Sequence, residues 1–433
     1  MIKIEERPEW RQWVTPSLLR EAPVHRWLSF PHSYTGELVD ALIKEWRLAR
    51  GARVLDPFAG AGTTAVEAQL LGMRAIAFDL SPLAVLTTRV KTAAGEAGEI
   101  EDAWKRVKKS IARFPAVPIP HYPELVERAL PGKLLPTFHM VKAAIERNCS
   151  DKRQRDFLLL ALLAVLPKFS KLVATGGWLS IRRGGRRAAY LTREFAEQVA
   201  LMLEDARHRD SVSLPRVRVD FTDARHLPLP NESIDAVITS PPYVNRHDYT
   251  RVFGVELLFG FLNAEEIKRL RYQSFCSHPE SHPALPLNGA YRPPHVLSRL
   301  LAQLKHQNGD SRVPAMLEGY FKDIYFMLAE IARVLRPGAY AGIVIGNVQY
   351  GGLAFPVDKI TAKIGRTVGL DVERLIVARY RGNSAQQMAV HGRRPARESI
   401  VVLRKPSSGP SSNPDVDRSR STDYRKARCA NVR

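Results

Sequence analysis

Two short runs of residues carry the chemistry available to this sequence. The first is Asp56-Pro57-Phe58-Ala59-Gly60-Ala61-Gly62-Thr63-Thr64. Its Asp56 ends Ala52 to Asp56, which reads as a short buried strand, and it precedes Ala65 to Leu71, which reads as a helix ended by Gly72. Glycines let the chain turn tightly there. The free N–H groups at the helix start, beside Thr63 and Thr64, favour an anionic or carboxylate group. Asp79 closes the next strand, Arg74 to Asp79, at the interval of about 20 residues where an acidic side chain holds a ribose hydroxyl pair. The pattern suits an adenosine-containing cofactor. By itself Gly60-Ala61-Gly62 also fits a tight turn in an unrelated α/β protein.

The second run is Thr239-Ser240-Pro241-Pro242-Tyr243, directly after the apolar strand Ile234 to Thr239. Two prolines remove backbone donors and stiffen the chain. Ser240, the carbonyls and the Tyr243 ring are then presented at the carboxyl end of a sheet, where α/β proteins bind ligands. The plainer alternative is a rigid loop whose tyrosine packs in the core.

Other signals concern partners. Lys and Arg number 65 against 44 Asp and Glu, a net charge of +21, which favours a polyanionic partner, nucleic acid before a membrane surface. Arg182, Arg183, Arg186 and Arg187 surround Gly184-Gly185 and suit a phosphate backbone, or else a solvated surface loop. Arg246, His247, Asp248, Tyr249 and Arg251 follow the proline loop and line the cleft, or else are ordinary helix-start charges. The histidines show no close metal-ligand spacing, so no metal is expected. Three scattered cysteines build no disulfide framework, and the polar N-terminus is no signal peptide. No apolar run reaches the about 20 residues of a membrane span. A cytoplasmic protein is expected.

The elements that must position these loops form an α/β rhythm. Strand, glycine turn, helix, strand is a βαβ unit, which implies a mostly parallel sheet covered by helices. A helix of Leu38 to Ala49 precedes it, with Leu38, Leu42, Trp46 and Ala49 on one face. Residues 1–98 are expected to hold an N-terminal arm and the first half of the catalytic unit. Residues 99–212 read as a helical insertion, lacking strand alternation. Residues 213–262 resume the sheet, with a strand over Arg216 to Phe221. Residues 263–314 are polar and rich in Pro and His, and read as a second, irregular insertion, the preferred place for target recognition. Residues 315–405 complete the unit, with a helix over Tyr320 to Leu335, a turn at Arg336-Pro337-Gly338 and strands at Tyr340 to Ile345, Val372 to Arg379 and Ser399 to Leu403. Residues 406–433 read as a disordered tail.

Taken together, DPFAGAGTT (Asp56 to Thr64) and TSPPY (Thr239 to Tyr243) resemble the S-adenosylmethionine-dependent amino-methyltransferases that act on DNA. The SPPY form is most like the N4-cytosine branch. The resemblance extends to Phe30-Pro31-His32-Ser33-Tyr34, Asp223-Ala224-Arg225, RVLRPG (Arg333 to Gly338) and RESIVVLRK (Arg397 to Lys405). It covers the α/β portion and neither insertion. It implies a Rossmann-like methyltransferase fold. S-adenosyl-L-methionine would be bound by His32, Ser33, Tyr34, Asp56, Phe58, Ala59, Gly60, Gly62, Thr63, Thr64, Asp79, Leu80, Asp223 and Ala224. Ser240, Pro241, Pro242 and Tyr243 would serve catalysis on a base rotated out of double-stranded DNA. Arg182, Arg183, Arg186, Arg187, Arg246 and Arg251 would bind nucleic acid. A cognate restriction or defence nuclease is left open as a partner. N6-adenine in DNA, a base amine in RNA, and a non-catalytic nucleic-acid-binding protein are the alternative readings. Carbon-5 methylation, which needs a cysteine nucleophile, is disfavoured because no Pro-Cys turn is present.

Overall fold

The computed structural model describes residues 2–28, 30–93, 97–113, 117–175, 178–182, 184–210, 213–245, 248–281, 291–307, 310, 312–382, 392 and 395–407. Its strands, in chain order, are β1 (Ile4–Glu6), β2 (Arg53–Asp56), β3 (Arg74–Asp79), β4 (Leu172–Thr175), β5 (Trp178–Ile181), β6 (Arg218–Phe221), β7 (Ile234–Thr239), β8 (Leu335–Gly346), β9 (Val348–Tyr350), β10 (Leu353–Phe355), β11 (Asp371–Arg381) and β12 (Ala396–Arg404). Eight of them make one sheet, ordered β1-β11-β12-β8-β7-β2-β3-β6. From β6 across to β8 all neighbours are parallel, and only β12 runs against both of its neighbours. This is the mostly parallel, Rossmann-like α/β fold expected.

The order of the sheet places the site. From β2 the chain crosses outward through β3 to β6, then returns to β7 on the other side of β2 and continues to β8. Successive crossovers therefore leave in opposite directions at the β2–β7 boundary, and a crevice opens beyond the carboxyl ends of those two strands. The middles of both strands, Val54-Leu55 and Ala236-Val237-Ile238, are apolar and buried because both faces are covered. On one face the helix Gly36–Glu45 lays Leu38 and Leu42 against Ile238, Val344 and Ile400. On the other, Arg312–Val334 buries Phe321, Ile324 and Leu328 over Leu55, Val237 and Ile343. A third core is helical, with Phe138, Leu158, Leu162 and Phe195 drawn from helices between residues 134 and 210.

Several elements depart from the sequence reading. The helical block contains a hairpin, β4–β5, whose strands of four residues are too short to display a period. The stretch 263–314 is not irregular throughout. It holds the helices Ala264–Gln273 and His295–Lys305, and the long helix begins at Arg312 rather than Tyr320. The first of these starts at a reciprocal cap: Asn263 Oδ1 accepts from Glu266 N at 2.9 Å, and Glu266 Oε2 accepts from Asn263 N at 2.8 Å. The helix near the N-terminus ends at Glu45 rather than Ala49. Arg336-Pro337-Gly338, expected as a turn, is absorbed into β8, with a register shift opposite β7 and Gly338 at φ +82°. The strand expected from Arg216 begins at Arg218. The edge strand β1 had no local signal, because pairing with β11 is what extends it. The tail from residue 408 lies outside the described residues.

Candidate active site

The floor of the crevice is built from the ends of three parallel strands. Asp56 ends β2 and is 2% exposed. Its Oδ1 accepts from Thr239 Oγ1 at 2.6 Å and from Phe58 N at 3.0 Å, and its Oδ2 accepts from Tyr34 Oη at 3.3 Å. One carboxylate thus fastens the glycine loop to the start of the proline loop and to the N-terminal arm. Burial pushes its pKa up to about 6, against the lowering effect of those hydrogen bonds. Tyr34 also bonds Thr64 Oγ1, which in turn donates to Ile238 O at 3.2 Å.

The glycine loop needs its glycines. Gly60 and Gly62 have φ of +49° and +82°, in the left-handed region that favours glycine. A Cβ on Gly62 would lie 2.9 Å from Thr88 Oγ1 and 3.1 Å from Thr88 Cα, so only glycine lets the two following helices approach this closely. Asp79 ends β3. Its Oδ2 accepts from Gly60 N at 2.9 Å and its Oδ1 from Ser81 N at 2.8 Å, which orients the carboxylate. Thr63 opens the helix Thr63–Leu70, and its buried hydroxyl has no hydrogen-bond partner among the described residues. A buried polar group left unpaired at a helix N-terminus fits a ligand carboxylate.

The proline loop carries Tyr243, 4% exposed. Its hydroxyl donates to Glu398 Oε1 of β12 at 2.9 Å, and Glu398 is paired with Arg379 and Arg381. The Arg381 guanidinium lies 5.6 Å from the ring centre. Gly346 leaves space for the ring, since a Cβ there would stand 3.2 Å from Tyr243 Cε2. His32 lies 6.4 Å from Tyr243 and 6.0 Å from Tyr249, ring centre to ring centre. Burial, with Glu398 nearby, holds the Tyr243 hydroxyl well above the ordinary phenol range, and burial with Asp79 nearby does the same for Tyr249. Both rings are neutral surfaces.

One cleft, with roughly 1230 Å3 of empty space counted to its open mouth, gathers these groups. It is lined by His32, Ser33, Tyr34, Asp56, Phe58, Ala59, Gly60, Thr63, Asp79, Leu80, Asp223 and Ala224, together with Ser240, Pro241, Pro242 and Tyr243. Gly62 and Thr64 stand behind its wall and shape the loop instead of lining it. Asp223 is among the residues the resemblance assigns to the cofactor. Its carboxylate is gripped by Arg225 through Nε and Nη2, each at 2.9 Å, and Arg225 also reaches Asp323 at 2.8 Å.

Of the basic residues expected to bind nucleic acid, the described ones, Arg182, Arg186, Arg187 and Arg251, do not line the cleft. Arg182 donates to the carbonyls of Pro167 and Lys168, and Arg186 pairs with Glu194. Arg187 is exposed. The hairpin preceding this loop lies through β5 beside the short helix Tyr249–Val252, whose Tyr249 and Thr250 line the cleft. Arg251 is held by Glu280 and Asp248. Arg183, Arg246 and His247 lie outside the described residues. Among the described residues no group of three or more His, Cys, Asp or Glu side chains could hold a metal, and no helix is long and apolar enough to cross a membrane. Sequence reasoning missed Phe253, Phe275, Ser277 and His278, which also line the cleft. Phe275, Ser277 and His278 come from the segment read as an insertion and Phe253 from the stretch just before it, and nothing in their local pattern marks them.

No family model matches the chain. It is 26% identical to the type II methyltransferase M.BsoBI of Geobacillus stearothermophilus over 457 residues, covering 92% of this chain and 88% of that protein. It is 26% identical to the type II methyltransferase M.AvaI of Nostoc sp. over 432 residues, covering 89% and 87%. Among solved structures, TrmN from Thermus thermophilus aligns over 86% of this chain and 48% of that one, at 13% identity and TM-score 0.28. A SAM-dependent methyltransferase from Aquifex aeolicus aligns over 89% and 98%, at 11% identity and TM-score 0.28. The chain is thus similar along nearly its whole length to type II methyltransferases, and its two motif loops meet in one cleft.

Proposed function

We propose that the chain methylates the exocyclic amine of a base, N4 of cytosine, rotated out of double-stranded DNA. The observation that carries this reading is the meeting of the Ser240–Tyr243 loop and the Asp56–Thr64 loop in one cleft at the switch point of the sheet. S-adenosylmethionine supplies an electrophilic methyl group. The unpaired Thr63 hydroxyl and the helix start suit its carboxylate, with His32 and Ser33 beside them. The oriented Asp79 carboxylate suits the ribose hydroxyls. Leu80, Asp223 and Ala224 line the place left for the adenine. Tyr34, Asp56, Phe58, Ala59, Gly60, Gly62 and Thr64 give the pocket its shape.

An exocyclic amine is a poor nucleophile, because its lone pair is delocalised into the ring. In this reading the Ser240 hydroxyl and the Pro241 carbonyl, both lining the cleft, accept its two N–H groups and draw the nitrogen toward a tetrahedral form. Pro242 fixes the loop, and Tyr243 offers a stacking surface. The proton the amine sheds leaves from the Ser240 side to water at the cleft mouth. Positioning and hydrogen bonding supply most of the rate enhancement. Arg187 and the described part of its loop suit the phosphate backbone beside the mouth, and a cognate nuclease would complete a restriction–modification pair.

Chromatography of nucleosides from DNA and RNA treated with the protein and S-adenosylmethionine tests the reading. N4-methylcytosine in DNA is the expected product. N6-methyladenine would overturn the base assignment and keep the mechanism. Methylation confined to RNA, or none at all, would overturn the proposal, as would full activity in Ser240→Ala.

A further inference from the structure

The imidazole of His278 stands apart from the rest of the cleft. It is 3% exposed and lines the cavity, yet neither ring nitrogen has a hydrogen-bond partner among the described residues. Buried polar groups are almost always paired, so such a group marks a place where a partner binds. The charged groups around it are satisfied elsewhere. Arg271 lies 2.8 Å from Asp248, and Arg251 grips Glu280. Burial lowers the imidazole pKa, which leaves a neutral ring with one donor and one acceptor.

The surroundings say which part of the cleft the residue serves. Its backbone is anchored, because the His278 carbonyl accepts from Ser281 Oγ at 2.7 Å. Two residues earlier, Cys276 N donates to Asp323 Oδ2 at 2.9 Å, and Asp323 binds Arg225, which binds Asp223. Phe275 packs edge-on against Phe58 of the glycine loop, ring centres 5.0 Å apart. Tyr249 lies within the field of Asp79, and Phe253 packs on Phe30 with ring centres 4.4 Å apart. The contacts of Phe275 and Cys276, just before His278, lead to Phe58 and, through Asp323 and Arg225, to Asp223. Tyr249 adds the link to Asp79, while Phe253 and Tyr249 also touch the N-terminal arm at Phe30 and His32. The Tyr243 side is walled by Arg381 and Glu398 instead.

We propose that His278 hydrogen-bonds the adenosine moiety of the cofactor, as part of a cover made by Tyr249, Phe253, Phe275 and His278 from the segment that follows the proline loop. The inference rests on the cofactor half of the proposed function. It gives this segment a task in holding the cofactor, separate from reading DNA.

Calorimetry with two probes, S-adenosylmethionine and 5′-methylthioadenosine, tests it on the full chain. The second probe lacks the amino-acid end. His278→Ala should weaken both by the same factor, about tenfold, the worth of one hydrogen bond in a buried site. His278→Asn, which keeps a donor and an acceptor, should lose less, and it carries the test should the Ala variant fail to fold. Affinity unchanged for both probes overturns the proposal. A loss confined to S-adenosylmethionine overturns it too, placing the ring at the methionine end. Intact binding with lost methyl transfer to DNA overturns it in favour of base reading. A wild-type protein that binds neither probe defeats the cofactor reading itself, and this inference with it.

Discussion

Replacing Tyr243 by Phe keeps the ring and deletes one hydroxyl, which separates stacking from anchoring. The deleted group donates to Glu398 Oε1 at 2.9 Å, with the two residues only 4% and 3% exposed. A hydrogen bond to a charged group contributes about 1.5–3 kcal/mol. Glu398 keeps Arg379 and Arg381, so no carboxylate is stranded, and the loss should sit at the lower end, about 1.5–2 kcal/mol. Glu398→Gln also strips the two arginines of their counter-charge and should cost more by itself. The pair interaction is isolated by a double-mutant cycle over the four proteins, measured by urea unfolding. We expect a coupling of about 1.5–2 kcal/mol. Methyl transfer should fall modestly in Tyr243→Phe, because the ring remains. In Tyr243→Ala it should lose the worth of base stacking, about 1–3 kcal/mol, with S-adenosylmethionine affinity unchanged. A coupling under about 0.5 kcal/mol would show that Glu398 does not anchor the tyrosine, and the argument for a positioned stacking ring would fall.

Gly62→Ala should destabilise the chain by roughly 2–4 kcal/mol, from left-handed strain plus the collision with Thr88; a thermal midpoint equal to the wild type's would refute the close-packing account. Asp56 carries a folded-state pKa of about 6, above the 3.8 of a free carboxyl, so the folded chain retains a proton that the unfolded chain has already lost. Its contribution is therefore greatest below about pH 4 and is lost as pH rises through 6, a span worth at most about 3 kcal/mol. Asp56→Asn should flatten that part of the stability–pH curve, and an unaltered slope from pH 4 to 6 would assign the effect to other groups. Duplex DNA affinity should fall steeply with salt. Arg187→Ala should reduce the log–log slope by about 0.9, while an unchanged slope would mean that this exposed arginine does not touch the backbone.

How much was legible depends on whether the cause is local. Asp56 to Thr64 could be read directly, because a strand-to-helix turn at φ +49° and +82° demands glycine within a few residues. The proline loop was legible for a similar reason. The second insertion was not, because its density of Pro and His obscured the capping box at Asn263 and the helix after it. The arginine loop was legible as charge alone. Only packing shows that Arg182 caps carbonyls and Arg186 answers Glu194, which leaves Arg187 exposed.

The sequence by itself determined the βαβ frame, the two loops and the residue types they present, since each follows from backbone sterics and periodicity over about ten residues. The tertiary structure decided what those loops rest on. Glu398 reaches Tyr243 across 155 residues of chain, because β12 pairs with β8 in the register that sets Glu398 opposite Gly346. His278 and Phe275 enter the cleft because Asp323 and Arg225 tie their segment to the turn after β6. Strand register and buried charge pairing are long-range, and no local pattern along the chain encodes which distant residue will complete them.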